Sequence, residues 1–161
     1  MQSHIGKRSM DLESIRIKAR HDLTPDEVDG LEDRLYEINA SRTGYEDAAL
    51  LGFVAEVQGE LVGAVAGYTW GGICELRQVW VHEAYRGEGL GEALMTEASR
   101  EAKARGCAYI YLATHDFQAP SFYAKLGFQK VAEIPDKPLG HTEIVMRLPL
   151  RSPPPDERLQ P

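Results

Sequence analysis

Residues 86–91 read RGEGLG, and the interpretation of the whole chain starts from this stretch. Three glycines alternate behind an arginine, between the apolar run VWV (79–81) and the helix-forming run EALM (92–95). Glycine in such a place permits a backbone turn that a side chain would block, or lets another group approach the backbone closely. The second option predicts a ligand at this turn.

The turn follows a predicted strand and opens a predicted helix. Helix N-termini carry free N–H groups and a partial positive charge, so they bind phosphate when side chains do not shield them. Gly87, Gly89 and Gly91 permit this approach and Arg86 can add a charged contact, which together predict a pyrophosphate cradle. The alternative is a tight turn without a ligand. The spacing G-x-G-x-G fits neither the dinucleotide fingerprint nor a nucleoside-triphosphate loop.

The elements on either side predict a mixed α+β domain. The run SIRIKA (14–19) alternates like a strand, and Thr24, Pro25 and Glu27 mark the start of a helix. The remaining pattern predicts a hairpin with its turn at 58–60, a strand over 73–81, a helix over 90–105, a strand over 108–114, a helix over 119–126, and strands over 128–134 and 142–150. One strand–helix–strand passage gives a parallel pair within an otherwise antiparallel sheet that has helices on both faces.

Composition restricts the class of protein. A chain of 161 residues suits one domain, placed at 14–150, between a flexible segment 1–13 and a disordered proline-rich tail 151–161. The net charge of -7 argues against nucleic-acid binding. The chain lacks a long apolar run and an apolar leader, so we expect no membrane span and a cytoplasmic location. Cys74 and Cys107 are expected as buried free thiols, and the scattered histidines predict no metal site.

Two motifs make the chain similar to a known family. The run VWVHEAYRGEGLGEALM fills the pattern [RQ]-x-x-G-x-[GA] with Arg86, Gly89 and Gly91, and APSFYAKLGFQKV (119–131) provides an F-Y-x-x-x-G-F run. Together they resemble the GNAT superfamily of acetyl-CoA-dependent N-acetyltransferases. The resemblance implies a three-layer α/β/α fold with a twisted, mostly antiparallel sheet of six or seven strands, splayed between the fourth and fifth strands.

The resemblance also implies the co-substrate and where it binds. Acetyl-CoA would lie in the split of the sheet, without a metal. Its pantetheine amides would pair with the backbone of Val79, Trp80 and Val81, and its pyrophosphate would lie on the amides of Arg86, Gly87, Glu88, Gly89, Leu90 and Gly91. The expected reaction is direct acetyl transfer, in a ternary complex, to a primary amine of a small molecule or peptide. The alternatives are a non-catalytic acyl-CoA-binding module and an unrelated phosphate-binding protein.

Catalysis needs a neutral amine and a protonated leaving thiol. Only about one lysine-like amine in a thousand is neutral at pH 7, so a base helps the attack. The resemblance favours Glu75 as this base, ahead of His115, with Glu56 and Gln78 as lesser candidates. It assigns the acid that protonates the thiolate to Tyr123, and the amide of Val79 or its neighbour to the developing oxyanion.

The acceptor site is less defined by the sequence. In the family the acceptor contacts segments that correspond here to 39–45 and 135–142, and homodimers are common. One position departs from the family pattern, because Asp116 stands where asparagine is frequent, and a carboxylate cannot donate the hydrogen bonds of an amide.

Overall fold

The computed structural model describes residues 15–151, which divide after Arg42 into two compact units. The predicted flexible segment 1–13 lies outside the described residues, and so does the predicted tail 151–161 except for Arg151. The first unit contains nearly all of helix α1 (Pro25–Thr43). Its predicted capping box is present, since the Glu27 side chain accepts from the Thr24 amide at 2.9 Å and the Glu27 amide donates to the Thr24 hydroxyl at 3.3 Å.

The predicted strand over 14–19 is wrong. Residues 15–20 have no regular secondary structure, and Ile15 and Ile17 are 46% and 97% exposed. Alternation of apolar residues describes only what a strand could bury, whereas a strand forms only when a neighbour completes its backbone hydrogen bonds. The expected fourth and fifth strands are therefore the third and fourth observed ones.

The second unit is built on a six-stranded sheet with the strand order β1-β2-β3-β4-β6-β5. Among the strands of residues 15–151, only the β3–β4 pair is parallel, so the prediction of a mixed and mostly antiparallel sheet is confirmed. The elements are β1 (Ala49–Val57), β2 (Glu60–Trp70), β3 (Ile73–Val81), a 3-10 turn (Glu83–Tyr85), α2 (Leu90–Ala104), β4 (Tyr109–His115), α3 (Pro120–Lys125), β5 (Gln129–Pro135) and β6 (Thr142–Pro149).

The sheet is split between β3 and β4, as predicted. Their parallel pairing is limited to Cys74–Leu76 against Ile110–Leu112. In the β2–β3 register, Gly67 faces Leu76 while Ala66 faces Gln78, so Arg77 is an extra residue in a β-bulge. Bulges bend a strand and increase its twist, which explains why β3 leaves β4 at this point.

Helix α2 packs across the core on the closed side of the split. Leu94, Met95, Ala98 and Ala102 are buried, and the predicted helix over 90–105 is present. The helix ends at Ala104, one residue before the predicted end, and Gly106 beyond it has a φ of 81°, which suits glycine and allows the Cys107 amide to donate to the Ala102 carbonyl at 2.9 Å. No helix within residues 15–151 is long and apolar enough to cross a membrane.

Arg105 ties the end of α2 to the far edge of the sheet. Its guanidinium donates to the carbonyl of Leu50 at 2.9 Å, to the hydroxyl of Thr69 at 3.2 Å and to the carboxylate of Glu101 at 2.7 Å. The side chain is 30% exposed. Hydrogen bonds from a charged donor in this environment contribute more than those of a surface ion pair.

We expect Arg105→Ala to lower the free energy of unfolding by about 1–3 kcal/mol, because carbonyl and hydroxyl acceptors lose a charged donor. Arg100→Ala is the matched control, since Arg100 lies on the same helix, is 70% exposed and pairs with Glu97. It should change stability by less than about 0.5 kcal/mol. Urea unfolding of both variants measures the difference, and equal midpoints would contradict the role given to Arg105.

Candidate active site

A cleft of about 1150 Å³ opens where β3 and β4 separate. Its walls come from β3, the glycine turn, α2, β4 and the turn that follows it, α3 and β6. Seven of the nine predicted cofactor-binding residues line it: Val79, Trp80, Val81, Arg86, Gly87, Gly89 and Gly91. Glu88 and Leu90 do not line the cleft, and Leu90 packs against the core instead.

The three glycines of the turn are required for different reasons. Gly87 and Gly89 have φ values of 80° and 83°, a left-handed conformation that strains other residues, and a Cβ on either would point into open space. A Cβ on Gly91 would lie 3.2 Å from the ring of Phe122, so this glycine is needed for packing. Gly87 and Gly89 therefore allow the backbone turn, and Gly91 allows the close approach of the Phe122 ring.

The glycine turn leaves backbone donors available in the cleft. Within residues 15–151, no hydrogen bond engages the amides of residues 87–91, and the first bond of α2 runs from the Ala93 amide to the Gly89 carbonyl at 3.0 Å. Arg86 is held beside these amides because its Nε donates to the Val81 carbonyl at 2.9 Å. This arrangement of bare amides and a guanidinium can bind an anion.

The edge of β3 supplies a second backbone surface. Val79, Trp80 and Val81 pair with β2 on one side, whereas the described part of the chain provides no paired strand on the side that faces β4. An extended amide-containing ligand could continue the ladder there.

Tyr123 enters the cleft from α3. Its side chain is 8% exposed, and its ring contacts Phe122 and Phe128 at centroid distances of 5.2 and 5.8 Å. No group among the described residues forms a hydrogen bond with its hydroxyl. Burial raises the pKa of Tyr123 above that of an ordinary phenol, so the hydroxyl stays protonated at neutral pH.

Glu75 lies on β3 but is not among the described residues that line the cleft. The sheet register sets it between Tyr68 and Tyr111, and its carboxylate accepts from both phenols, at 2.7 Å from Tyr111. Burial raises the pKa of Glu75, but the two phenols and the Arg77 charge outweigh it, so the pKa is below its usual value. Of the lesser base candidates, Gln78 lines the cleft, while Glu56 lies on β1 and is exposed.

His115, the last residue of β4, lines the cleft together with Gln118 and Glu143. Sequence reasoning named His115 but missed the other two. Gln118 could have been noticed because it follows His115 by only three residues, between the predicted strand over 108–114 and the predicted helix over 119–126. Glu143 faces His115 only through the register of β4 and β6, which the sequence does not reveal.

Asp116 connects two loops. Its carboxylate accepts from the Thr142 amide at 3.1 Å, and one oxygen lies 3.1 Å from Nδ1 of His141. An acceptor-only side chain suits both partners, so the departure from asparagine is explained by these local contacts.

The cysteines and acidic groups do not form a further site. Cys74 and Cys107 are buried free thiols, as predicted, and burial raises the pKa of Cys74 to about 12. Among residues 15–151, no group of three His, Cys, Asp or Glu side chains could hold a metal ion.

Comparison with known proteins agrees with this geometry. Blasticidin-S acetyltransferase of Streptomyces morookaense is 41% identical over 88 residues, which cover 53% of this chain and 63% of that relative. The chain thus matches less than two thirds of that protein's length. An acetyltransferase from Bacillus cereus has a similar structure, with a TM-score of 0.68, 26% identity and coverage of 82% of this chain and 97% of that chain.

A third relative was solved with coenzyme A. It is an aminoglycoside 6'-N-acetyltransferase with a TM-score of 0.60 and 21% identity, covering 87% of this chain and 99% of that chain, and at this identity the likeness concerns the fold. The profile of the acetyltransferase (GNAT) family matches residues 15–128. With both family motifs lining a split sheet, the chain belongs to the GNAT acetyltransferase family.

Proposed function

We propose that the chain is an acetyl-CoA-dependent N-acetyltransferase that acts on a primary amine of a small molecule or peptide. The observation that carries this proposal is a single cleft lined by the open edge of β3, the bare amides of residues 87–91 and Tyr123. A pure binding module would need the first two features only. The hydroxyl of Tyr123 favours catalysis, because it adds to the cleft a proton donor that binding does not require.

The residues present fit acetyl-CoA. Its pyrophosphate would lie on the amides of residues 87–91, beside Arg86, where helix geometry and charge favour an anion. Its pantetheine arm would continue the sheet along Val79–Val81, because both have amide groups at extended spacing. The neighbour solved with coenzyme A supports this choice of ligand.

The chemistry then proceeds by direct attack. A base removes one proton from the ammonium, and the neutral amine attacks the thioester carbonyl carbon. The amide of Val79 or its neighbour would donate to the developing oxyanion. As the C–N bond forms and the C–S bond breaks, Tyr123 gives its proton to the leaving thiolate, and its phenolate takes the second proton from the nitrogen. The products are the acetamide, free coenzyme A and one released proton on the base.

The acceptor is proposed to be a small cationic amine. The named relatives act on blasticidin S and aminoglycosides, both small amine-bearing molecules, and the net charge of -7 suits a cation. We also propose a cytoplasmic location, which the two buried free thiols support, since a reducing compartment preserves them.

Ligand binding can be tested by thermal unfolding of the wild type with acetyl-CoA, CoA, ATP or NAD. We expect stabilisation by acetyl-CoA and CoA alone, of about 2.7 kcal/mol at a hundredfold excess over Kd. Gly89→Ala should weaken CoA binding by about tenfold or more, because its Cβ would stand in the cradle. No shift with either CoA ligand at millimolar concentration would refute the proposed cofactor site.

Gly59→Ala is the matched control for this substitution. Gly59 has a φ of 84° and open space around it, like Gly89, but it lies in the β1–β2 turn. Both variants should lose about 1–2 kcal/mol of stability from the left-handed backbone. Equal CoA shifts in the two variants would show that the glycine turn does not hold the cofactor.

Turnover tests the role of Tyr123. We expect Tyr123→Phe to keep its CoA-induced thermal shift and to lower kcat by about 10²–10⁴, because the thiolate loses its acid. Release of free thiol from acetyl-CoA measures the rate with a panel of amines that includes blasticidin S, kanamycin and spermidine. Tyr109→Phe is the control, since this β4 tyrosine packs against Arg147. An unchanged rate in Tyr123→Phe would remove the acid role, and CoA binding without turnover by the wild type would favour the binding module.

A further inference from the structure

The turn after β4 holds His115 through the side chain of Gln118. The Gln118 amide donates to the His115 carbonyl at 2.9 Å and closes the turn. The side chain then folds back, so that the His115 amide lies 3.0 Å from the Gln118 side-chain oxygen. A backbone N–H requires an acceptor, and this contact therefore fixes which end of the carboxamide carries the oxygen. The hydroxyl of Thr114 is directed at the same oxygen from 3.4 Å.

The same oxygen determines where His115 carries its proton. Nδ1 of His115 lies 3.1 Å from it. An oxygen with no hydrogen cannot donate, so Nδ1 must hold the proton in this contact. In the neutral imidazole the lone pair is then on Nε2. His115 lines the cleft that also contains Tyr123, so the basic nitrogen is carried by a residue of that cavity.

Charged and aromatic side chains surround the imidazole of His115. An oxygen of Glu143 lies 3.8 Å from Nε2, and Lys137 contacts the other oxygen of Glu143 at 2.7 Å. Phe117 stacks on the imidazole at 5.1 Å and makes an edge-to-face contact with His141 at 4.8 Å, and His141 is in turn close to Asp116. Among residues 15–151, these are the charged and titratable groups that contact His115 or its direct neighbours. Glu143, which is 12% exposed, is the nearest countercharge for an imidazolium.

Glu75 differs from His115 because hydrogen bonds already occupy the atoms that would accept a proton. Its oxygens already accept hydrogen bonds from two phenols and face the guanidinium of Arg77 at 3.4 Å. Those contacts stabilise the carboxylate and make it a weaker proton acceptor.

We propose that Nε2 of His115 is the base that removes the amine proton, and that Gln118 is the positioning residue that keeps the proton of His115 on Nδ1. This inference rests on the proposed function for its base role. In the step, the Nε2 lone pair takes a proton from R–NH3⁺ and gives R–NH2 and imidazolium, which returns the proton to water after acetyl transfer.

The tautomer can be measured without any substrate. Two-bond ¹H–¹⁵N spectra of the full chain with ¹⁵N-labelled histidine, recorded above the pH at which the imidazoles titrate, show which nitrogen carries the proton. We expect Nδ1–H for His115. His82 is an internal control of the opposite kind, because the Ala84 amide donates to its Nδ1 at 3.2 Å and leaves the proton on Nε2. His115→Asn and His82→Asn assign the two signal sets.

The positioning role is tested by two substitutions of Gln118. Gln118→Glu keeps an acceptor oxygen and should keep the Nδ1–H form. Gln118→Met has a similar length without the oxygen and should shift the proton toward Nε2. Nε2–H in the wild type, or an unchanged tautomer in Gln118→Met, would overturn the assignment of Gln118.

The base role is tested by the pH profile of kcat/KM, with the amine of the panel above that releases thiol fastest. His115→Asn should lower kcat/KM by about 10²–10⁴ and remove the limb on which the rate rises with pH, because the neutral imidazole is lost. Gln118→Glu should move that limb to higher pH, since a carboxylate beside Nδ1 stabilises the imidazolium. A structural role of Gln118 would lower the rate without moving the limb. His21→Asn, which changes a histidine of the first unit, should leave the profile unchanged.

The outcomes separate this inference from the proposed function. If His115→Asn keeps the limb, or if Glu75→Gln removes it instead, the base role is overturned while N-acetyl transfer stands. If the wild type acetylates none of the amines, the proposed function and the base role fail together. The spectra then still decide whether Gln118 positions His115.

Discussion

The functional geometry depends on the end of the β3–β4 ladder at Leu76. Up to that residue the strands are hydrogen bonded, and beyond it the bulge at Arg77 turns β3 away. A continuous ladder would satisfy the backbone edge of Val79–Val81 and leave no space between the strands. The cleft and the open strand edge therefore have one cause, which is a single extra residue in β3.

This break is tolerated because the closed side of the split is anchored in the core. Cys74, Leu76, Ile110 and Leu112 are at most 3% exposed and lie under α2. The same helix begins in the cleft, where the missing side chain of Gly91 leaves room for the ring of Phe122. Phe122 is adjacent to Tyr123 in sequence, so this packing contact sets the phenol of α3 beside the glycine turn.

Sequence patterns predicted those features whose interactions are local. The capping box of α1 joins Thr24 to Glu27, three residues apart, and the helix predicted over 90–105 depends on contacts within a few residues of the chain. The strand predicted over 14–19 was wrong. The alternation of apolar residues is a local pattern, whereas a strand also needs hydrogen bonds to a partner strand, which a local pattern does not reveal. The glycine turn and Tyr123 were found through motifs, and both line the cleft, while their roles toward acetyl-CoA stay predictions.

The choice of base shows why the remainder of the site could not be predicted. Position on a strand made Glu75 a reasonable candidate, but its two phenol partners are 7 and 36 residues away in sequence and meet it only through strand register. The Gln118–His115 contact is local, yet its consequence depends on which atom accepts the His115 amide. A carboxylate that already accepts several donors has little basicity left, whereas an imidazole with Nδ1 occupied keeps a free lone pair on Nε2. The proposed choice between these two side chains thus rests on hydrogen-bond direction rather than on residue type.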